Sequence, residues 1–217
     1  MPDRADDVRN QPRALVAMAA ACLLAAPLAH LLADQGVARF ARNQGLVRSQ
    51  VLQWTTELGE GVYWLVPAAA VFAVAALRRW HNLARWTFAL IAAVGGSGIL
   101  TNLLKLLIGK ARPNVLFDEG RFGFTPFSYG YDVNSMPSGH ATTCGAAAAI
   151  LALAFPKARW PILCAGILVA STRVFIHAHY LSDVLAGLAL GIGCGLATLA
   201  IWRRRFPASV PRVGGIR

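Results

Sequence analysis

Six long apolar segments constrain this chain more than any other feature of its sequence. Most of them approach the roughly 20 residues that an α-helix needs to cross about 30 Å of hydrocarbon. With 56% hydrophobic and 14% charged residues, the composition excludes a disordered chain and argues against an ordinary soluble domain. We therefore predict one all-α domain over residues 1–217, a membrane bundle of six transmembrane helices. The segments are 14–33, 61–78, 86–108, 138–155, 160–176 and 182–202.

The first apolar segment allows a second interpretation, because Arg4, Arg9 and Arg13 precede it as basic residues precede the core of a signal peptide. That core usually has roughly 7–15 residues, whereas this segment is long enough to span the membrane. We therefore favour a retained first helix. The second segment contains Pro67, which a transmembrane helix tolerates better than a soluble helix does.

The distribution of Lys and Arg predicts the orientation. With a cytoplasmic amino terminus, 13 of the 21 basic residues fall on the cytoplasmic side, including Arg212 and Arg217 near the carboxyl terminus. Because basic loops stay in the cytoplasm, both termini are predicted to be cytoplasmic. The net charge of +11 lies mostly in short loops, which favours contact with anionic lipid head groups over binding of nucleic acid.

Three polar clusters lie at the ends of the apolar segments, and the predicted topology places all three on the outer side of the membrane. Charged groups at membrane depth are costly and usually mark a functional site. We therefore expect one site where the ends of four helices meet. The clusters are Lys105 with Arg112-Pro113, then Ser138-Gly139-His140, then Arg173 with His179 and Asp183.

The third cluster has the spacing of a reactive histidine. His179 and Asp183 are four residues apart at the start of a predicted helix, so they share a face and can hydrogen-bond. A carboxylate that holds one ring nitrogen leaves the other available as a nucleophile. Arg173 ends the preceding helix, where its guanidinium can bind a phosphate. His177 shares this loop without a matching partner, and we leave it outside the site.

The second cluster follows Pro137 at the amino terminus of the fourth predicted helix. Backbone N–H groups and the positive end of the helix dipole bind anions there, and Gly139 permits close approach of a phosphate. Ser138 fits two roles, a helix cap and a phosphate donor. His140, when protonated, can give its proton to a departing alcohol.

The first cluster supplies cations. Lys105 and Arg112 are about two helical turns apart, so both can point to one side. Lys110 falls on a different helix face, and we interpret it as a lipid head-group contact. Together with Arg173, these cations would stabilise negative charge on a phosphoryl group during its transfer. The sequence contains no cluster of metal ligands, and we predict neither a metal nor another cofactor.

Two sets of glycines and two long outer loops complete the pattern. We expect both glycine sets to let helices approach closely. Residues 34–60 fit either a helix in the membrane interface or a solvated loop. The aromatic residues of 109–137 fit either an entrance for acyl chains or an aromatic belt. The glycines are Gly95, Gly96 and Gly98, and then Gly187, Gly191 and Gly195.

In their order and spacing these clusters resemble the type-2 phosphatidic acid phosphatase family, whose active site is shared with vanadium haloperoxidases. The family motifs are K-x6-R-P, P-S-G-H and S-R-x5-H-x3-D. Here they correspond to Lys105–Pro113, Pro137–His140 and Thr172–Asp183, so the match spans residues 105–183. Thr172 stands where the third motif usually has serine, and the hydroxyl is retained.

The resemblance implies a role for each matched residue. His179 would attack phosphorus and form a phosphohistidine, while Asp183 orients it. His140 would protonate the leaving oxygen and later help water release phosphate. The family needs no metal. The phosphate would be held by Lys105, Arg112, Ser138, Gly139 and Arg173.

The expected function is therefore a metal-independent phosphatase of a bacterial-type inner membrane, with its active site facing the periplasm. Candidate substrates are undecaprenyl pyrophosphate, phosphatidylglycerol phosphate, phosphatidic acid and the phosphates of lipid A. Three alternatives remain. They are a lipid phosphotransferase that uses the same phosphohistidine, a lipid-binding or transport protein without catalysis, and a haloperoxidase.

Overall fold

The computed structural model describes residues 4–207, and within this range the chain is built from nine α-helices without a β-strand. Arg212 and Arg217, which contributed to the predicted orientation, lie outside the described residues. The helices are α1 (Arg4–Leu32), α2 (Asp34–Asn43), α3 (Gln50–Glu57), α4 (Val62–Leu77), α5 (His81–Ile108), α6 (Pro113–Glu119), α7 (Gly139–Ala154), α8 (Arg159–Phe175) and α9 (Leu181–Arg205).

Each predicted apolar segment forms a helix, although not all of these helices are long enough to span a membrane. Four of them, α1, α5, α8 and α9, satisfy the length and hydropathy of a span. The pair α3 and α4, bent by 41°, makes a fifth candidate if it is counted as one span. Helix α7 has 16 residues and is about 24 Å long, which is shorter than the hydrocarbon layer. The count of six spans and the orientation stay predictions.

The short helix α7 lies in the centre of the bundle. It packs against α5, α8 and α9, while α1 packs on α9 and α4 packs on α5. Thirteen of its 16 residues are buried, most of them alanine. Because protein surrounds it, α7 does not have to match the thickness of the lipid.

Glycines bring the backbones of α7 and α9 into close contact. A Cβ atom on Gly191 would lie 2.1 Å from the carbonyl oxygen of Thr142, and one on Gly187 would lie 2.5 Å from that of Ser138. The close packing predicted for this face of α9 is therefore confirmed. Van der Waals contact between small residues is a main source of helix association in membranes.

The glycines of α5 have a different environment from the one predicted. A Cβ atom on Gly95, Gly96 or Gly98 would meet no atom within 4 Å, so the prediction of close packing is wrong there. Gly95 and Gly98 instead line a cavity between α5 and α4. Because glycine has no side chain, these positions leave space in the cavity and do not bring two helices into contact.

The two long outer connections are partly helical. Residues 34–60 form α2 and α3, joined by a 3-10 turn, which confirms the helical interpretation over the loop. Phe40, Val51 and Trp54 are exposed on these helices. Location of α2 and α3 in the membrane interface remains a prediction. The connection from α5 to α7 contains the short helix α6 and an isolated bridge between Lys110 and Phe124.

The contact between α7 and α9 predicts a large difference between two neighbouring glycines. Gly191→Ala would force a methyl group against the backbone of α7, whereas Gly193→Ala would meet no atom within 4 Å. We expect Gly191→Ala to destabilise the protein by about 1–3 kcal/mol or more. Thermal unfolding in detergent measures the difference, with Gly193→Ala as the control. Equal melting temperatures for the two variants would contradict the described contact.

Candidate active site

The three polar clusters meet at one cavity of about 450 Å³, formed by α4, α5, α7, the end of α8 and the loops beside them. A larger groove of about 650 Å³ between α1, α5 and α9 has no charged residue in its lining, so it lacks the chemistry of a phosphate site. Ser138 and Asp183 are fully buried beside the smaller cavity. The other predicted site residues line it, namely Lys105, Arg112, Gly139, His140, Arg173 and His179.

His179 lies in the loop between α8 and α9, two residues before α9 begins, and not within that helix as its spacing suggested. Its Nδ1 atom lies 3.7 Å from Oδ2 of Asp183 and 3.5 Å from the hydroxyl oxygen of Ser135. The pair therefore faces one another, at a distance longer than a hydrogen bond. Because Nδ1 faces these oxygens, Nε2 is the ring nitrogen available to the cavity.

The surroundings of His179 favour its neutral form. Burial lowers the pKa of His179 to about 4, from an ordinary value of 6.5. The positive charges of Arg112 and Arg173 act in the same direction, whereas Asp183 opposes them. Only a neutral imidazole has a free electron pair, so a neutral His179 has the protonation state that a nucleophile requires.

Asp183 is fixed by several donors at once. Its Oδ2 atom accepts a hydrogen bond from the backbone N–H of Tyr180 at 2.8 Å and another from the hydroxyl of Ser135. Its Oδ1 atom lies 2.8 Å from Nζ of Lys110. The sequence analysis missed Ser135, which stands in no recognisable motif with Asp183, and it assigned Lys110 a different role.

The interpretation of Lys110 as a lipid head-group contact is wrong. Lys110 is fully buried and bridges Asp183 and Asp34. The argument from helix faces failed because α5 ends before this residue. Gly109 adopts a φ of +61°, and the chain then turns inward. A Cβ atom at Gly109 would lie 1.8 Å from the carbonyl oxygen of Thr125, so only glycine fits this turn.

Two of the predicted cations differ in how the described residues hold them: backbone carbonyl oxygens bind Arg112, whereas Lys105 is free. The guanidinium of Arg112 donates to the carbonyl oxygens of Tyr131 at 2.8 Å and Ala178 at 3.0 Å, and it stacks 3.9 Å above the ring of Tyr131. Lys105 has no hydrogen-bond or ion-pair partner among residues 4–207. These two cations can therefore bind an anion without first losing an internal ion pair.

The third cation, Arg173, reaches the cavity from the end of α8. Its Nη1 atom donates to the hydroxyl of Thr56 at 3.0 Å. Its buried Nε atom has no partner in the described part of the chain. An unpaired buried donor is unfavourable, and a phosphate oxygen in the cavity would satisfy it.

Ser138 serves as the cap of α7. It is fully buried, and its side chain accepts a hydrogen bond from the backbone N–H of Ala141 at 3.5 Å. Its own N–H donates to the carbonyl oxygen of Asp183 at 2.9 Å, which ties the second cluster to the third. The helix-cap role is therefore confirmed, whereas contact with a phosphate stays a prediction.

His140 faces a carboxylate that the sequence analysis did not identify. Its Nε2 atom lies 2.9 Å from Oε2 of Glu60, in the turn between α3 and α4. A Cβ atom on Gly59 would lie 2.9 Å from His140, so this turn packs closely on the ring. Glu60 and Gly61 also line the cavity. The Gly-Glu-Gly run at the start of an apolar segment was the available signal in the sequence.

His177 does not contribute to the cavity. Its ring packs edge-on against Phe117, and its φ of +58° is unusual for a residue with a side chain. The exclusion of His177 from the site thus agrees with its position. It offers a nearby histidine for comparison with His179 and His140.

The chain also matches a known protein family. The family described as the PAP2 superfamily matches residues 86–207, a segment that contains all three clusters. The lipid A 1-phosphatase of Rhizobium etli is 48% identical over 115 residues, which are 53% of this chain and 50% of that protein. The undecaprenyl-diphosphatase of Sulfolobus acidocaldarius is 28% identical over 103 residues, 45% of this chain and 50% of that protein. The chain thus spans about half the length of these curated relatives.

A solved structure extends the likeness to nearly the whole chain. The crystal structure of a transmembrane PAP2-type phosphatidylglycerolphosphate phosphatase from Bacillus subtilis aligns with a TM-score of 0.61. The alignment covers 91% of this chain and 99% of that one, at 20% sequence identity. This likeness shows a fold shared over most of the chain.

Burial of neutral His179 predicts a loss of stability in acid. The pKa of His179 in the folded protein, about 4, lies below the ordinary 6.5. Between these two pH values the unfolded chain therefore binds a proton at His179, whereas the folded protein does not. The free energy of unfolding should therefore fall between pH 6.5 and 4, by on the order of 3 kcal/mol for this group. Unfolding of the wild type and His179→Gln at a series of pH values measures this difference. The exposed His81→Gln serves as the control, and a wild-type curve parallel to that of His179→Gln would contradict the prediction.

Proposed function

The chain belongs to the PAP2 superfamily, and we propose that it hydrolyses a phosphate ester or pyrophosphate of a membrane lipid through a phosphohistidine. One observation carries this proposal. The free nitrogen of a buried, neutral histidine opens onto a cavity that also contains three cations and a second histidine. Attack on phosphorus needs all of these groups in one place.

In the first step, Nε2 of His179 forms a bond to phosphorus, and the bond from phosphorus to the lipid oxygen breaks. His140 gives a proton to that oxygen, so the lipid leaves as an alcohol or as a phosphate one unit shorter. The imidazole becomes positively charged when it bonds phosphorus, and the carboxylate of Asp183 stabilises this charge.

In the second step, water attacks the phosphohistidine, and the bond from nitrogen to phosphorus breaks. His140 takes a proton from the water, which returns both histidines to their starting states. Inorganic phosphate leaves the cavity. Glu60, 2.9 Å from His140 and half exposed, stands where the proton passes between the ring and the solvent.

Positive charge for this chemistry comes from the protein itself. Lys105, Arg112 and Arg173 surround the cavity, and the first turn of α7 begins at Gly139 on its wall. Arg112 is held in place by backbone carbonyl oxygens, so little reorganisation is needed when charge moves in the transition state. We therefore propose that catalysis needs no added metal ion.

The apolar wall of the cavity suits the chains of a lipid. Leu65 of α4 and Val94, Gly95, Gly98 and Ile99 of α5 line it away from the cations. We propose that the acyl chains enter between α4 and α5, where the glycines of α5 leave space. The aromatic connection contributes Tyr131 to the mouth of the same cavity.

We propose a lipid A-type 1-phosphate as the preferred substrate. The support is the 48% identity to a lipid A 1-phosphatase over a segment of 115 residues. Undecaprenyl pyrophosphate is the next candidate, since a relative of lower identity is named for it. Phosphatidylglycerol phosphate and phosphatidic acid complete the set of substrates to be compared.

Phosphate release by the purified protein tests the reaction. We expect release of inorganic phosphate from detergent-solubilised lipid A or undecaprenyl pyrophosphate in the presence of EDTA. His179→Ala should lower kcat at least about a thousandfold, because the nucleophile is lost. His140→Ala should lower it by about a hundredfold or more, because general acid catalysis is lost.

His177→Ala provides the matched control and should keep near wild-type turnover, since His177 lies outside the cavity. Wild-type turnover in His179→Ala would refute the phosphohistidine. Transfer of phosphate to an added second lipid, with no inorganic phosphate released, would instead identify a phosphotransferase.

For the membrane, we propose six spans with both termini in the cytoplasm, so that the cavity faces the periplasm. Single cysteines in a variant without its four native cysteines test this orientation. In intact cells, a membrane-impermeant maleimide should label Asp118→Cys on α6 and should not label Arg79→Cys in the turn between α4 and α5. The reverse labelling would refute the proposed orientation.

A further inference from the structure

A buried network of charges lies directly behind His179. Nζ of Lys110 is 2.7 Å from Oδ2 of Asp34 and 2.8 Å from Oδ1 of Asp183. All three side chains are 0% exposed. We call these residues the Asp34–Lys110–Asp183 network. Charges buried this deeply are stable only when each is paired at close range, as each is here.

Ser182 makes a second connection between Lys110 and Asp34. Its hydroxyl accepts a hydrogen bond from Nζ of Lys110 and donates one to Oδ2 of Asp34, both at 2.6 Å. Its backbone N–H donates to Oδ1 of Asp34 at 2.9 Å. Asp34 therefore fixes Lys110 and the first turn of α9 at the same time, next to Asp183 itself.

The network determines how Asp183 faces His179. Lys110 occupies Oδ1 of Asp183, so that Oδ2 is left for Tyr180, Ser135 and the ring of His179. With both oxygens held, the carboxylate cannot rotate away from the histidine. The orientation of His179 thus depends on contacts that extend to α2.

The charges of the network sum to −1. Lys110 lies between two carboxylates, so Asp34 shares its positive charge and Asp183 keeps negative charge directed at His179. That charge matters most when Nε2 bonds phosphorus and the imidazole turns positive. Without Asp34, Lys110 would neutralise Asp183 alone.

We propose that Asp34 and Lys110 are positioning residues that hold Asp183 in the orientation and charge needed to support His179 during hydrolysis. This inference rests on the proposed function. Asp34 lies outside residues 86–207, so this support comes from a part of the chain that the family match does not cover. Lys110 lies within the first motif but is none of its defining residues.

Asp34→Asn tests the proposal while preserving the shape of the side chain. The net charge of the network is then zero, and we expect kcat to fall about tenfold or more. KM should stay within about twofold, because the phosphate-binding cations are untouched. Phosphate release by wild type and variant, matched for folded protein, gives both constants. Asp118→Asn, which removes an exposed carboxylate on α6, is the control and should leave both constants unchanged.

Lys110→Met leaves two buried carboxylates facing one another. If this variant folds, kcat should fall further than in Asp34→Asn. The double variant Asp34→Asn/Lys110→Met restores the sum of −1 and should recover at least about tenfold of that loss. If Lys110→Met does not fold, Asp34→Asn alone decides the proposal. A double variant no better than Lys110→Met would count against it.

Titration of His179 by ¹⁵N NMR gives a readout independent of turnover. With less negative charge nearby, the pKa of His179 should be lower in Asp34→Asn than in wild type by at least about 0.5. If the wild type releases no phosphate from any lipid, the proposed function fails, and this titration still tests the network. A folded Asp34→Asn with wild-type kcat and unchanged titration would overturn the proposal, even if its melting temperature were lower.

Discussion

The contact between α7 and α9 is the constraint on which the rest of the structure depends. The two backbones approach so closely at Gly187 and Gly191 that no side chain fits between them. At the end of this contact, the N–H of Ser138 donates to the carbonyl oxygen of Asp183. The start of one helix is thereby joined to the start of the other. His140 lies two residues after Ser138 and His179 lies four residues before Asp183, so this junction brings both histidines to the same cavity.

Around this contact, several charged side chains lie where they have little access to water. Three cations lie at the cavity without enough internal anions to neutralise them, and Arg173 retains an unpaired donor. Uncompensated positive charge of this kind is unfavourable, and a doubly charged phosphate, as proposed above, would offset it. Behind it, Lys110 is fully paired, and breaking a pair of that kind typically costs 3–5 kcal/mol. The cations at the cavity therefore have few nearby anions, whereas every charge of the Asp34–Lys110–Asp183 network is paired.

The sequence predicted much of this arrangement, because hydrophobic length and motif spacing are local signals. All six apolar segments form helices, and the residues of all three clusters converge as expected. Lys110 was misplaced because a helical face was assumed beyond Gly109, where the chain turns. Asp34 and Glu60 were missed because they meet the site only through tertiary packing. The glycines of α5 were misread because spacing alone does not reveal whether a neighbouring helix is near or absent.

The dependence of the site on α2 has a consequence for how the molecule can be divided. The segment that carries every recognised motif does not contain the whole network, since Lys110 and Ser182 both also bond to Asp34 of α2. Removal of the residues before 86 would take away Asp34 and leave the buried side chain of Lys110 with only Asp183 and Ser182 as hydrogen-bond partners among residues 86–207. The segment that matches the family and the helices before it are therefore connected through Asp34, and a shortened chain that keeps this network must include α2.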